Sequence, residues 1–480
     1  MIGLQRQGDS RARFHAPGFS DIVGRLFGRV ILGDDHCMKR SRNLLALLML
    51  AAAILAGATV PASSQQVSVP QQATQAVDPV TYVRDLIEAQ QFAEARAFIR
   101  AYRPNDDTYR YRVEYVEGLI LKKQGNYPAA VAVFRSILAQ RPEFSFVRID
   151  LADTLYLSGD DDAARHNADL LIAAGVDDQI GGAMRALVGA IDDRRPVRFS
   201  GFASIVPSTN INGGTDNQNI LIGGLPFVID PSSRRQSGIG VLLGGEVLFR
   251  QTFSKNLAFV GSLGAIGRYY PAVGRIDLFL DGSAGIEKKT RSGIVTASLV
   301  ARQDYTNFNA AFRELGVQVE GSGFVPTGRL YGRARVTYRD FFGDVLRNGV
   351  RLDVNGFYDR FIGPQRFVRS IVGATTERPQ SPFLWFDEIQ AGAGYNTELP
   401  HGFTIYGQAT YAYRRYFFPQ PFFGRREDHR IDAQVTVTKR NLNLFGLAPQ
   451  VTYAFSRNFS NSAFDDTTAH SVDIKFVRAF

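Results

Sequence analysis

Beyond Pro196, apolar and polar residues alternate one for one, the period of a strand with two different faces. In 329–340, Leu330, Gly332, Ala334, Val336 and Tyr338 alternate with Tyr331, Arg333, Arg335, Thr337 and Arg339. In 349–359, Val350, Leu352, Val354, Gly356 and Tyr358 oppose Arg351, Asp353, Asn355 and Asp359. In 430–438, Ile431, Ala433, Val435 and Val437 oppose Arg430, Asp432, Gln434, Thr436 and Thr438. Fourteen such segments follow one another from Arg198 to Phe480. That is about 20 residues per strand and turn, a spacing that suits tilted membrane strands of about 9 to 11 residues or more.

A soluble sandwich also alternates, so the connections must separate the two cases. Short turns are expected at 254–256, 290–293, 326–328, 363–365 and 399–402. Longer polar or aromatic loops are expected at 207–236, 270–275, 305–310, 342–348, 376–382, 417–428 and 458–469. An even-stranded outer-membrane barrel keeps two such classes in register, the short ones periplasmic and the long ones extracellular. A secreted β domain has no reason to do so. Val472, Ile474 and Phe476 alternate up to Phe480, an aromatic end that serves as the insertion signal read by the barrel-assembly machinery; Arg478 interrupts its apolar face.

Between 80 and 195 the apolar period is helical. Gly118, Gly125, Tyr127, Ala130, Phe134 and Pro142 stand where a tetratricopeptide helix-turn-helix places small, turn, aromatic, small, aromatic and stop residues. Ala152, Gly159 and Ala164 recur 34 residues after Gly118, Gly125 and Ala130. Upstream, 82–102 reads as a degenerate flanking repeat through Leu86, Phe92, Ala95, Phe98 and Ile99, and 178–193 as a capping helix. Two uses remain open for this stack, a structural spacer or a concave surface for a polypeptide. On the second, Tyr111, Tyr115, Lys122 and Arg148 line the groove. The expected fold is therefore α+β multidomain: a tetratricopeptide-like helical solenoid over 80–195, then a 14-stranded antiparallel transmembrane β-barrel over 198–480.

Ahead of both, Lys39, Arg40 and Arg42 precede an apolar run from Leu44 to Ala56, with small residues offering cleavage after Ala58 or Ser64. This reads as a signal peptide over 38–64, the run being short for a bilayer-spanning helix. Residues 1–37 read as an upstream extension or misassigned start, and 65–79 as a polar linker. The destination is the outer membrane, with the helical domain in the periplasm and outer-membrane lipid around the barrel.

Charge and chemistry narrow the picture further. From Arg198 onward 32 Lys+Arg face 23 Asp+Glu, which accounts for the whole net charge of +9. These cations are scattered singly or in pairs among aromatics and glycines, so no nucleic-acid partner is expected. One cysteine, Cys37, and six histidines supply neither a disulfide framework nor a metal centre, and no cofactor is expected. His401, His429 and His470 are the barrel histidines and stand beside no recognisable nucleophile spacing, so catalysis is not expected. Asp277, Asp281, Asp353 and Asp359 fall on the polar face, where pairing with lumen arginines such as Arg333, Arg335, Arg339 and Arg351 is the simpler role.

The segment 202–215, FASIVPSTNINGGT, resembles the stretch that opens the barrel of the surface lipoprotein assembly modulator family, Slam, with its Pro-Asp-Ser-Asn-type motif. Pro207, Ser208, Asn210 and Asn212 match and Thr209 interrupts; Asn, Ser and Gly are also ordinary turn formers. The resemblance covers about 80–480 and rests mainly on the order of signal, repeats and barrel. It implies a translocator that moves a client lipoprotein or secreted protein from periplasm to cell surface, the repeats receiving the client and periplasmic chaperones assisting. Polysaccharide export and a passive porin with a periplasmic repeat domain are the rival readings.

Overall fold

A computed structural model describes residues 79–103, 107–222, 225–290, 292–326, 328–420, 424–442 and 447–478. The signal peptide, the upstream extension, most of the linker and Phe480 lie outside the described residues.

Seven helices come first: α1 Pro79–Glu88, α2 Phe92–Ala101, α3 Tyr109–Lys123, α4 Tyr127–Gln140, α5 Ser145–Ser158, α6 Asp161–Ala173 and α7 Asp178–Arg194. The repeat residues have clear physical roles. Ala130, Phe134, Ala152 and Ala164 are fully buried, and a Cβ added at Gly118 would lie 2.5 Å from the Phe134 ring, so α3 and α4 approach as closely as they do only with glycine there. Gly125 and Gly159 take left-handed backbone (φ +78° and +86°) that closes each helix pair. Ile87, Ile99, Leu119, Ile120, Ile137, Leu151 and Leu155 fill one core along the stack. No helix among the described residues is long and apolar enough to cross a membrane.

The chain then forms β1 Val197–Ser208, β2 Asn219–Ile222, β3 Leu225–Val228, β4 Gly238–Ser254, β5 Leu257–Tyr270, β6 Arg275–Lys289, β7 Gly293–Thr306 and β8 Asn309–Val325. It continues through β9 Gly328–Phe341, β10 Gly349–Phe361, β11 Arg366–Pro379, β12 Phe386–Leu399, β13 Phe403–Gln420, β14 Gly424–Lys439, β15 Leu447–Ser460 and β16 Thr467–Arg478. β2 and β3 form a separate hairpin; the other fourteen strands close into an antiparallel barrel, β1 meeting both β4 and β16. Closure leaves no open sheet for lipid to meet, the condition a spanning sheet must satisfy. Leu243, Leu263, Leu299, Val317, Val372, Ile389 and Ile474 lie exposed on the outer face, while carboxylates and arginines pair on the other.

The short turns fall on the end that carries the helices, and Arg440, which follows β14, lies at the same end. At the far end the expected contrast in loop length is weaker. The 305–310 loop is a two-residue tip, Asn307 and Phe308, both left-handed (φ +50° and +63°), and the Asn307 side chain accepts a hydrogen bond from the Ile276 backbone at 2.8 Å. Polar and aromatic strand ends look like loop in sequence, yet they continue the ladder, as from Tyr270 opposite Arg275 and Thr306 opposite Asn309. The 209–237 connection is the long one and contains the β2–β3 hairpin.

Candidate functional site

The inner wall of the barrel is a set of shared ion pairs. Arg335 reaches Glu314 at 2.8 Å, Arg339 and Arg351 both hold Glu377 at 3.1 and 3.0 Å, and Arg351 also holds Asp353 at 2.8 Å. Arg329 and Arg369 enclose the fully buried Asp359 at 2.9 and 2.6 Å. Glu388 is shared by Arg414 at 2.7 Å and Arg430 at 3.5 Å. Arg333 lies on the same face, opposite Glu320 in the β8–β9 register. Strand alternation aims these side chains inward, and planar guanidinium groups bridging two carboxylates tie neighbouring strands together. The wall that results is polar, with its charges largely paired and arginine in excess, since Asp359 and Glu388 each serve two guanidinium groups.

The helices lie across one mouth of this bore. Leu170, Ala173 and Ala174 pack with Phe324, Phe361, Phe367 and Tyr406 of the barrel. A Cβ at Gly175 would lie 2.4 Å from the Pro326 carbonyl oxygen, so glycine alone permits the approach to the β8–β9 turn. Asp192 of α7 meets Lys289 at 3.6 Å. At the centre, Arg148 of α5 donates to Glu398 of β12 at 2.7 Å and Arg440 reaches the same carboxylate at 2.8 Å. Arg148 further donates to Asn167 and to the Pro142 carbonyl, both at 3.2 Å. Arg148 and Glu398 are buried, so neither could be left alone there without a large desolvation cost.

This placement corrects part of the expected groove. Arg148 is a tie between helices and barrel, with no surface left for a client. Tyr115 is also buried; its hydroxyl joins Arg84 in bonding Asp150, and Lys122 reaches Asp150 at 3.1 Å and Asp153 at 2.7 Å. Burial, with the Asp150 carboxylate beside it, pushes the Tyr115 hydroxyl well above its ordinary pKa. Tyr111 is half-buried, its hydroxyl 3.3 Å from Gln140. Arg148 faces the docked barrel and Tyr115 the core between the helices, and a polar residue on a repeat helix looks the same in sequence whether it faces either of these or solvent.

The motif residues 207–212 lead out of β1 into the long connection. Asn210 donates to the Gly214 and Thr468 carbonyls at 2.8 and 3.1 Å, and Asn212 to the Ser232 and Arg234 carbonyls at 3.0 and 2.8 Å. Ser208 accepts from the Asn210 backbone at 3.2 Å. They fasten the connection to itself and to β16. Phe476 is exposed on the outer face of β16. Among the described residues no group of acidic, histidine or cysteine side chains could hold a metal ion.

Two family profiles divide the chain at the junction between helices and barrel. One, described as surface lipoprotein assembly modifier, N-terminal TPR repeats, matches 71–168; the other, surface lipoprotein assembly modifier, matches 198–480. The chain belongs to the surface lipoprotein assembly modifier family. Relatives of that name occur in Pasteurella multocida, 21% identical with 77% of each chain covered, and in Haemophilus influenzae, 22% identical with 84% of this chain and 85% of the relative covered. Among solved structures, the outer-membrane channel DcaP of Acinetobacter baumannii matches 59% of this chain and 97% of its own at 9% identity and a TM-score of 0.37, a likeness too distant to carry an argument.

As a member of this family the chain is an outer-membrane protein, and the helix-covered mouth faces the periplasm. His166 sits in the cover near Glu398, Arg148, Arg329 and Arg440, and burial pushes its imidazole down to about 4. Burial likewise raises Asp169, one turn along α6.

Proposed function

We propose that this protein delivers a client lipoprotein, or a related secreted protein, from the periplasm to the cell surface, the repeats receiving the client and the barrel serving as conduit. The observation that carries this reading is the cover itself: the repeats lie over the periplasmic mouth and are held to it by a carboxylate shared between Arg148 and Arg440. A receiving domain in that position controls entry to the bore. The polar wall, lined by both carboxylates and guanidinium groups, suits an extended polypeptide of mixed charge. The relatives' shared name supports a lipoprotein as cargo. Periplasmic chaperones would keep the client unfolded before it arrives, and the barrel-assembly machinery would insert the β16 end.

Deletion of 82–191 in the native cell tests the reading. Loss of particular surface-exposed lipoproteins, with the barrel still inserted and heat-modifiable on gels, is the expected outcome. An unchanged set of surface proteins would refute the receiving role, and a changed surface glycan with unchanged proteins would point to polysaccharide export.

A further inference from the structure

β1 and β4 are already neighbours at the extracellular end, Ser208 standing opposite Gly238, so a tight turn would suffice to join them. The chain instead runs through 209–237, and this connection is folded on itself. Ile211, Thr215, Ile220 and Ile229 are all buried. Asn212 pins the outgoing limb to the returning one: its side-chain oxygen accepts from the Gln236 amide at 3.0 Å, and its side-chain amide donates to the Ser232 and Arg234 carbonyls at 3.0 and 2.8 Å. Backbone bonds run beside it, from Ile211 to Gln236 at 2.8 Å, Thr215 to Ser233 at 3.1 Å and Arg235 to Thr215 at 3.0 Å. Asn210 accepts from the Gly214 amide at 2.9 Å and donates to its carbonyl at 2.8 Å, and a Cβ on Gly214 would lie 2.4 Å from the Arg234 carbonyl carbon. An asparagine side chain is donor and acceptor at once, which pinning two backbones requires. The two limbs form one body.

That body reaches into the bore. Ile239 and Tyr269 are exposed on the lipid side, so alternation turns Gly238 and Tyr270 inward. Ile211 lies against them: a Cβ on Gly238 would be 3.3 Å from Ile211 and 3.8 Å from the Tyr270 ring. Two residues further on, Gly213 lines a cavity of about 240 Å3 together with Glu388, Arg414 and Arg430. Their neighbours Ile389, Tyr411 and Ile431 are exposed outside, so these charged groups also face inward. In the ring of strands β5 and β12 stand seven places apart out of fourteen, on opposite sides. The start of the connection therefore meets inner walls on both sides of the extracellular mouth, where a loop confined to the rim would meet neither.

A short run of polar contacts holds it there, all of them to the last hairpin, β15–β16. Asp216 meets Arg457 at 3.1 Å and accepts from the Thr468 hydroxyl. The Asp216 amide and the Thr215 hydroxyl both donate to the Asp466 carbonyl at 3.1 Å, and the Asn217 side chain donates to the Ala463 carbonyl at 3.0 Å. Such bonds exchange for bonds to water at modest net cost, whereas the bonds between the limbs are many and close together. A segment zipped within itself and held to its surroundings by a few polar contacts moves as a unit about its ends.

We infer that the 209–237 connection is an extracellular gate, which Asn210 and Asn212 keep as one body and Thr215, Asp216 and Asn217 latch shut against the last hairpin. The motif residues at the start of the barrel thereby acquire a role that turn formation alone does not require. With the helical cover over the other mouth, the bore has a barrier at each end, and displacing one leaves the outer membrane closed by the other. This goes beyond delivery of a client, because it describes the resting protein whatever passes through it.

The test uses the full chain in the native cell, carrying Cys37→Ser and one reporter thiol in the bore, Ser283→Cys, at a position midway along β6 whose neighbours Leu280 and Ile286 face lipid. Intact cells are treated with a thiol reagent too large to pass through porins, so that it reaches the reporter only by the extracellular mouth. The native connection should protect the thiol. Excision of 212–235 joins residues whose backbones already meet at 2.8 Å, and should expose it. Asp216→Ala should speed labelling about tenfold by removing hydrogen bonds to a charged group, while Asp230→Ala, which loses only its bonds to Ser232 within the connection, should leave the rate unchanged. Equal labelling before and after the excision, whether fast or absent, would overturn the gate, and a native rate in Asp216→Ala would overturn the latch. Heat-modifiable mobility verifies that each variant is folded, and labelling after unfolding verifies the thiol. No client is followed, so failure of the gate and failure of the delivery function give different results.

Discussion

Arg148 and Glu398 concentrate the attachment of cover to barrel in one carboxylate. Both are buried, and Arg440 shares the acid. Arg148→Ala should weaken docking by a few kcal/mol, below the full 3–5 kcal/mol of a broken buried pair because Arg440 remains. Faster protease cleavage at 194–197 with the barrel intact would show it, and Arg148→Ala combined with Glu398→Gln should lose less than the two single changes summed. His166 adds a pH dependence. Its pKa in the cover, about 4, lies below the ordinary value near 6.5. The released state therefore binds the proton more readily, and docking weakens as pH falls from about 6.5 toward about 4. Asp169, raised by burial, acts with the opposite sign at the low end of that window. Comparison with His166→Gln isolates the histidine: proteolysis of the cover should then respond less to acidification across that interval, and an unchanged response would remove His166 from the account.

At the scale of elements, close contacts are made by the smallest residues. Gly118→Ala puts a methyl group where the Phe134 ring lies 2.5 Å away, and should cost about 1–3 kcal/mol, visible as a lower melting temperature of the helical signal with the barrel's heat-modifiability unchanged. Much at this scale was legible in the sequence. The 34-residue recurrence of Gly118, Gly125 and Ala130 marks helix pairs because close packing and left-handed turns restrict residue choice, and the alternation in 329–340 and 349–359 marks strands because lipid and water select opposite faces. Strand ends were less legible: 305–310 reads as loop, yet a tight tip with left-handed Asn307 and Phe308 turns the chain without leaving the ladder. The cover was not legible at all. Arg148 and Glu398 are 250 residues apart, and no local pattern distinguishes a buried interdomain pair from two solvated charges.

For the molecule as a whole, the uneven charge has a structural explanation. The excess of +9 lies entirely in the barrel half, where the inward arginines are held largely by carboxylates of neighbouring strands. Its helical cover occupies the periplasmic mouth. Delivery through the bore, as proposed, requires this cover to move, and a reversible tether tests that requirement most directly. Asp192→Cys and Lys289→Cys, whose native side chains meet at 3.6 Å, can be joined in the native cell by a short thiol-reactive cross-linker that reductant cleaves, with surface proteins then labelled by a membrane-impermeant biotin reagent. The account predicts that newly made lipoproteins fail to reach the surface while the tether is closed and appear there once it is cleaved; normal surface arrival with the tether closed would contradict it.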